Sequence, residues 1–338
     1  MKALRFWRAV AVASFVVGAL PFFAQSPAYK YFRVGNAKDA AGSPRAGFAL
    51  MGGGEDLDEA FRWLCERAGG GDLLVLRATG TDDYNEYIKD LCKVNSVATL
   101  VIPNRAAAED GFVAGKIAEA SALFISGGDQ SNYINFWMGS PVQVALNEAI
   151  KRGVPIGGTS AGLAVLGEYA YSAQGDRPED ANLDGKTAMG DPFGRRITLV
   201  RGFLDVPILK GVITDTHFAK RDRMGRLLVF VARLNEPDGK AAGLEIRGIG
   251  VQERTAVLLE TDGHAKIVGQ CCAYFIDAKN ADGIVAKGKP LRFGPYGVRK
   301  VEPGGIFNVK TWTGNATQYT LSVDADGIHS SQAGCAVY

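Results

Sequence analysis

From about residue 47 the chain repeats one pattern: a short continuous apolar run, a glycine-rich turn, then an amphipathic stretch. Phe48-Ala49-Leu50-Met51 runs into Gly52-Gly53-Gly54, after which Leu57, Phe61, Leu64 and Ala68 recur at helical spacing. Leu73 to Leu76, Ala98 to Ile102 and Ala122 to Ile125 are further apolar runs. Ser140-Pro141 opens a helix that Gly153 closes, with capping residue, N1 proline and terminal glycine in the expected order. Val154-Pro155-Ile156 then leads to Gly157-Gly158. A strand that is apolar at every position must be covered on both faces. Such runs separated by helices predict an α/β fold with a mostly parallel sheet and helices on both faces.

The 338 residues suit one principal domain with an appended piece. After about residue 255 the helical signals stop. Thr255 to Glu260, Ala273 to Ile276, Ile306 to Thr311 and Tyr319 to Val323 read as strands joined by Asp-Gly and Pro-Gly turns. The expected division is 1–28 a leader, 29–262 the α/β domain, and 263–338 a C-terminal β-rich extension of it. Residues 172–196 are polar and aperiodic, which predicts a functional loop over a site or a mobile insertion.

Lys2, Arg5 and Arg8 precede an uncharged, mostly apolar run from Ala9 to Ala24, too short for the ~20 apolar residues of a bilayer span. A cleaved secretory signal is expected, cut near Ala24 or Ala28, with an exported, periplasmic or extracellular protein and no stable membrane anchor. Without those three cations the formal charge of +2 becomes 2 − 3 = −1, which argues against nucleic acid as a partner. Five cysteines leave at least one thiol unpaired, and Cys271 and Cys272, on a strand, would face opposite sides. With no CxxC and three histidines, no metal site is expected.

Gly158-Thr159-Ser160-Ala161-Gly162 follows a predicted strand and precedes a helix-compatible stretch, the setting of a nucleophile elbow. Ser160 needs a base. His264 lies in a turn and His329 in the tail, whereas His217 closes the apolar segment Val212 to Thr216 at a strand end. In the helix expected after His217, Arg223 shares a stripe with Leu227, Phe230 and Leu234, Arg226 lies one turn further, and Arg221 one turn from His217. An inward guanidinium requires a carboxylate from the protein or from a ligand. Gly52-Gly53-Gly54 lacks the spacing of a dinucleotide loop and reads as a close-packed turn.

Four strings together resemble the cyanophycinase branch of the aspartyl dipeptidase (dipeptidase E) family of serine peptidases. They are Ser126-Gly127-Gly128-Asp129-Gln130, Gly158 to Gly162, Asp215-Thr216-His217-Phe218 with Arg221, Arg223 and Arg226, and Gly250-Val251-Gln252-Glu253-Arg254. The resemblance implies a flavodoxin-like sheet related to class I glutamine amidotransferases, without metal or organic cofactor. It also implies Ser160 as nucleophile, His217 as base and Glu253 as orienting acid, with the Gly128 and Ala161 N–H groups as oxyanion hole. Gln130, Asp215, Thr216, Arg221, Arg223 and Arg226 fall on substrate-binding positions, Thr216 standing where the family usually has Gln. The implied substrate is an acidic or β-aspartyl (cyanophycin-type) peptide, and a homodimer is the assembly considered. Two other classes remain: an inactive or repurposed relative that binds acidic peptides or a protein partner, and an esterase. The order Ser160, His217, Glu253 differs from the Ser, acid, His order of α/β-hydrolase esterases.

Overall fold

The computed structural model describes residues 28–236 and 245–338. The leader expected over 1–28 lies outside the described residues except for Ala28 itself. Six strands form one part of a first sheet: β1 (Lys30–Gly35), β2 (Phe48–Met51), β3 (Leu73–Arg77), β4 (Ser96–Val101), β5 (Ala122–Ile125) and β6 (Ile156–Thr159). The last five pair in parallel in the order β4-β3-β5-β6-β2, and β1 adds antiparallel to β4. Every residue of β2, β4, β5 and β6 is buried, as continuous apolar runs require.

Helices α1 (Asp58–Arg67) and α2 (Tyr84–Leu91) cover one face, where Phe61, Leu64 and Ile88 pack on Ala49, Val75 and Phe124. The other face meets α3 (Arg105–Ala108), α4 (Gly111–Glu119), α5 (Gln130–Trp137), α6 (Pro141–Lys151) and α7 (Ala161–Ala164), through Ile117, Trp137, Leu146 and Leu163. Helix α6 starts as expected: the Ser140 hydroxyl accepts from the Val142 N–H at 3.2 Å, Pro141 holds the first turn, and Gly153 (φ +85°) ends it. Each large apolar side chain taken fully out of water here contributes about 1.5–3 kcal/mol. Cys65 on α1 and Cys92 just after α2 form a disulfide, with Cα atoms 5.9 Å apart.

The rest of the β structure departs from the single, mostly parallel sheet expected. A second sheet contains β7 (Tyr169–Tyr171), β8 (Leu199–Arg201), β9 (Val212–Asp215) and β10 (Arg247–Val251), with β9 parallel to β7 and to β10. The chain then crosses to the first sheet. There β11 (Thr255–Leu259) pairs antiparallel with β2, and β12 (His264–Gly269) with β11. It crosses back through residues 270–272 to β13 (Ala273–Asp277), antiparallel to β10. Strands Arg292–Val301, Thr317–Asp324 and Gly327–Ser330 extend the second sheet, and Ile306–Asn308 the first. The boundary expected at 262/263 therefore falls inside the β11–β12 hairpin, and the C-terminal strands serve both sheets. The strand expected over 306–311 stops at Asn308, whose Oδ1 accepts the N–H groups of Lys310 and Thr311 and turns the chain.

Val257 and Ile267 of the first sheet share one core with Ile249 and Phe275 of the second, so the sheets pack face to face there. Helices α8 (Gly185–Gly190) and α9 (Met224–Asn235) cover the outer face of the second sheet. Among the described residues no helix is long and apolar enough to cross a membrane.

Candidate active site

The carboxyl ends of β2, β5, β6, β9 and β10 converge, and every loop leaving them contributes to one site. Ser160 follows β6 directly and adopts φ +52°, ψ −118°, a conformation rare for a side-chain-bearing residue. The turn is tight enough to exclude side chains on both sides. A Cβ on Gly158 would lie 2.6 Å from the Gly162 carbonyl carbon, and one on Gly162 would lie 2.0 Å from Ile125 O. Both glycines of the Gly158 to Gly162 string are thus steric necessities. Helix α7 is a single turn, so Glu168 lies beyond it and pairs with Arg201.

His217 follows β9, also with positive φ (+48°), and its N–H donates to Gly52 O at 2.8 Å. Its Nε2 lies 2.7 Å from Ser160 Oγ, and its Nδ1 lies 2.6 Å from Glu253 Oε1. Glu253 stands in the crossing from β10 to β11, and the structure brings Ser160, His217 and Glu253 into one hydrogen-bonded line. Burial pushes the imidazole below its ordinary 6.5, against the pull of the Glu253 hydrogen bond, and Arg221 and Arg223 add to the lowering. The hydrogen bond from His217 in turn holds the Glu253 carboxyl below the usual carboxylate range. A neutral imidazole between an anion and a hydroxyl can take the hydroxyl proton and be held as imidazolium.

The Gly52-Gly53-Gly54 turn braces this line. A Cβ on Gly53 (φ +92°) would sit 2.5 Å from His217 Cε1 and Nε2, and one on Gly54 (φ +80°) 3.1 Å from Glu253 Cβ. Gly52 N–H donates to Thr255 O, and Arg254 N–H to Gly53 O, each at 2.9 Å. Gln252 bridges the two loops, its Oε1 accepting from the N–H groups of Glu253 (2.9 Å) and Lys220 (3.2 Å). Sequence reasoning saw a close-packed turn at Gly52 to Gly54, but not that its neighbour is His217, which is 164 residues from Gly53 (217 − 53). Tyr133 carries no mark of its role in the sequence. Its hydroxyl donates to Ser126 O (2.9 Å) and Gly127 O (3.1 Å). In a trans peptide N–H and C=O point oppositely, so this bond turns the Gly128 N–H away from Tyr133. Gly128 (φ +149°) and Ala161, the first residue of α7, both line the cavity beside Ser160.

That cavity holds about 490 Å³ and is lined also by Gln130, Thr216, Arg221, Arg223 and Arg226. The polar segment 172–196 forms its outer wall through Asp176, Arg177, Asp180 and Asn182, tied down by the Arg196–Asp176 (2.7 Å) and Arg195–Asp180 (2.9 Å) ion pairs.

Two expectations change. Asp215 and Arg226 pair with each other: Arg226 Nε and Nη2 clasp the Asp215 carboxylate, Nε at 2.7 Å, and both are almost fully buried, with Arg226 alone of the two lining the cavity. The carboxylate that Arg226 requires comes from the protein. Second, the helix expected after His217 begins only at Met224. A turn precedes it in which Arg221 N–H donates to His217 O and Asp222 has φ +47°, leaving Arg221 exposed.

Arg223 caps that helix and is buried. Its Nη1 donates to Thr216 O (3.0 Å) and Oγ1 (3.1 Å), so the Thr216 hydroxyl holds Arg223. Its Nε has no hydrogen-bond partner among the described residues, and Asp215 lies 3.7 Å from Nη1. Burial, reinforced by Arg226, lowers the guanidinium to about 9. His264 and His329 are exposed, beside Asp262 and Asp324. No three His, Cys, Asp or Glu side chains converge to hold a metal among the described residues.

Residues 48–194 match the profile of peptidase family S51. The chain is 27% identical over 279 residues to a cyanophycinase of Synechococcus elongatus, covering 77% of this chain and 78% of that one. It is 26% identical over 288 residues to a cyanophycinase of Geminocystis herdmanii, covering 79% and 95%. Among solved structures, a peptidase from an acI-B1 actinobacterium superposes with a TM-score of 0.50 at 18% identity, over 79% of this chain and 98% of that one, a likeness of fold.

Proposed function

We propose that the chain, whose residues 48–194 match the profile of peptidase family S51, is a serine-type hydrolase cleaving aspartyl or β-aspartyl peptide bonds through an acyl-enzyme on Ser160. The observation that carries this reading is the unbroken line from Glu253 through His217 to Ser160 Oγ. His217 takes the Ser160 proton as Oγ attacks the carbonyl carbon. The developing oxyanion is received by the Gly128 and Ala161 N–H groups, and His217 returns the proton to the leaving amine. Water then repeats the sequence and frees the acid.

Charge supports an acidic substrate. Asp176 and Asp180 are engaged by arginines of the wall, and Asp215 by Arg226. Arg177, Arg221 and Arg223 then line the cavity with Asp129, and Arg223 only shares Asp215 with Arg226, a cationic surplus that suits substrate carboxylates. The order β4-β3-β5-β6 repeats the first four places of the flavodoxin arrangement, which supports reading the parallel core as flavodoxin-like with β2 in the fifth place. Export is part of the reading. The Cys65–Cys92 disulfide and the basic-then-apolar N-terminus support it.

The test is hydrolysis by purified protein of cyanophycin, β-aspartyl dipeptides, α-aspartyl dipeptides and p-nitrophenyl esters, together with mass spectrometry after a fluorophosphonate. Cleavage of the acidic peptides and an adduct on Ser160 are expected. Ester cleavage alone would make it an esterase. Absence of both hydrolysis and adduct would leave a binding protein in place of an enzyme.

A further inference from the structure

Cys271 and Cys272 occupy the bend where the chain crosses back from β12 to β13, and the first crossing, which carries Glu253, lies against them. Gln270 N–H donates to Arg254 O (2.8 Å), Cys271 N–H to Thr255 Oγ1 (3.1 Å), and Gln252 N–H to Cys272 O (3.2 Å). The Thr255 hydroxyl donates in turn to Glu253 O at 3.2 Å. The backbone on both sides of Glu253 is thus hydrogen-bonded to the cysteine bend. On a regular strand adjacent side chains diverge. Here they lie outside the strand, and the two sulfurs are 3.1 Å apart and unbonded.

We propose that Cys271 and Cys272 form an oxidisable dithiol site, which reacts with small-molecule disulfides and, on closing, displaces the loop that carries Glu253. The half-buried Cys271 sulfur is the accessible one, and Cys272 is buried. Cys271 loses its proton, attacks one sulfur of the oxidant RSSR and releases one thiolate. Cys272 then gives its proton to solvent, attacks the Cys271 sulfur and expels the second thiolate. Two protein thiols and RSSR become one protein disulfide and two RSH, with two electrons passing to the oxidant. Burial pushes the Cys272 thiol up to about 12, and its Cys271 neighbour adds to the shift, a contribution that capping of Cys271 removes.

Consecutive Cα atoms are about 3.8 Å apart, below the roughly 4.4–6.8 Å of ordinary disulfides. Closure therefore bends the Cys271–Cys272 peptide and turns the flanking Cys271 N–H and Cys272 C=O away from Thr255 and Gln252. A disulfide strained in this way is readily reduced, so the change is reversible. Its effect on hydrolysis rests on the serine-hydrolase reading, whereas the oxidation itself does not.

The experiment uses the full chain with Cys335→Ser, which removes the exposed third thiol and leaves the Cys65–Cys92 bond in place. Treatment with oxidised glutathione should take two hydrogens in mass from the peptide spanning residues 271–272. Amide hydrogen exchange over 252–255 should rise. Turnover of an aspartyl substrate should fall by at least about tenfold, and by no more than the roughly ten-thousandfold that disabling the orienting acid costs. Dithiothreitol should restore all three, and Cys271→Ser should prevent all three. No loss of mass, or loss of mass with exchange and turnover unchanged, would overturn the proposal. A protein that hydrolyses nothing in either state would fail the peptidase assay while mass and exchange still decide the switch.

Discussion

Replacing Gly53 with alanine should disable the site without unfolding the protein. The added Cβ would stand 2.5 Å from His217 Cε1 and Nε2, where ordinary carbon contacts lie at about 3.5–4.0 Å. The imidazole must therefore retreat by about 1 Å, and its 2.7 Å contact with Ser160 Oγ opens beyond hydrogen-bond reach. A misplacement of about 1 Å costs on the order of a hundredfold in rate, or about 2.7 kcal/mol of barrier. Separately, alanine at φ +92° carries backbone strain of about 1–3 kcal/mol, which lowers stability. Gly70→Ala separates the two effects, since Gly70 has φ +82° but nothing within 4 Å of its would-be Cβ. Steady-state hydrolysis and urea unfolding of both variants make the assay. Gly70→Ala should show the loss from strain alone, Gly53→Ala at least that loss, and only Gly53→Ala should lose turnover. Wild-type turnover in Gly53→Ala would refute the placement of the imidazole against this glycine.

Ser160→Ala should cost about a million-fold in turnover with little change in unfolding midpoint, because alanine and serine tolerate φ +52° about equally; substantial residual hydrolysis in the purified variant would contradict the nucleophile assignment. Since burial depresses His217, the rate should hold as pH falls through 6.5 and decline only below it, as the base becomes protonated. The same depression leaves the unfolded chain binding more protons than the folded one below about 6.5. Stability should fall with pH through that window, and a flat profile of unfolding free energy would count against it. Arg223→Met should lower kcat/KM on acidic substrates by roughly one to two orders of magnitude, the worth of a charge-assisted hydrogen bond, and leave a neutral ester unaffected. Equal losses on both would make Arg223 structural. Asp215→Asn should destabilise by about 3–5 kcal/mol by stranding the buried Arg226, and an unchanged unfolding curve would mean that the pair carries no such load.

Taken alone, the sequence determined the features that depend on near neighbours. The parallel core was legible because a strand buried on both faces must be apolar at every position, as Phe48–Met51 and Ala122–Ile125 are. The turn at Ser160 was legible because its two glycines answer to contacts within a few residues or on an adjacent strand. Helix α6 was legible because capping is local. Tertiary structure alone decided what depends on partners far along the chain. Antiparallel strands after residue 255 carry no mark of which sheet they join, so their distribution over two sheets was not readable. Cys65 and Cys92 meet because α1 and α2 cover the same sheet face. Arg226 demanded a carboxylate in any fold, but only the approach of β9 to α9 made it Asp215 in place of a ligand. The two sulfurs at 271 and 272 meet because a crossing between sheets interrupts the alternation a strand would impose. The sequence states which groups need a partner, and packing selects it among groups the sequence leaves chemically equivalent.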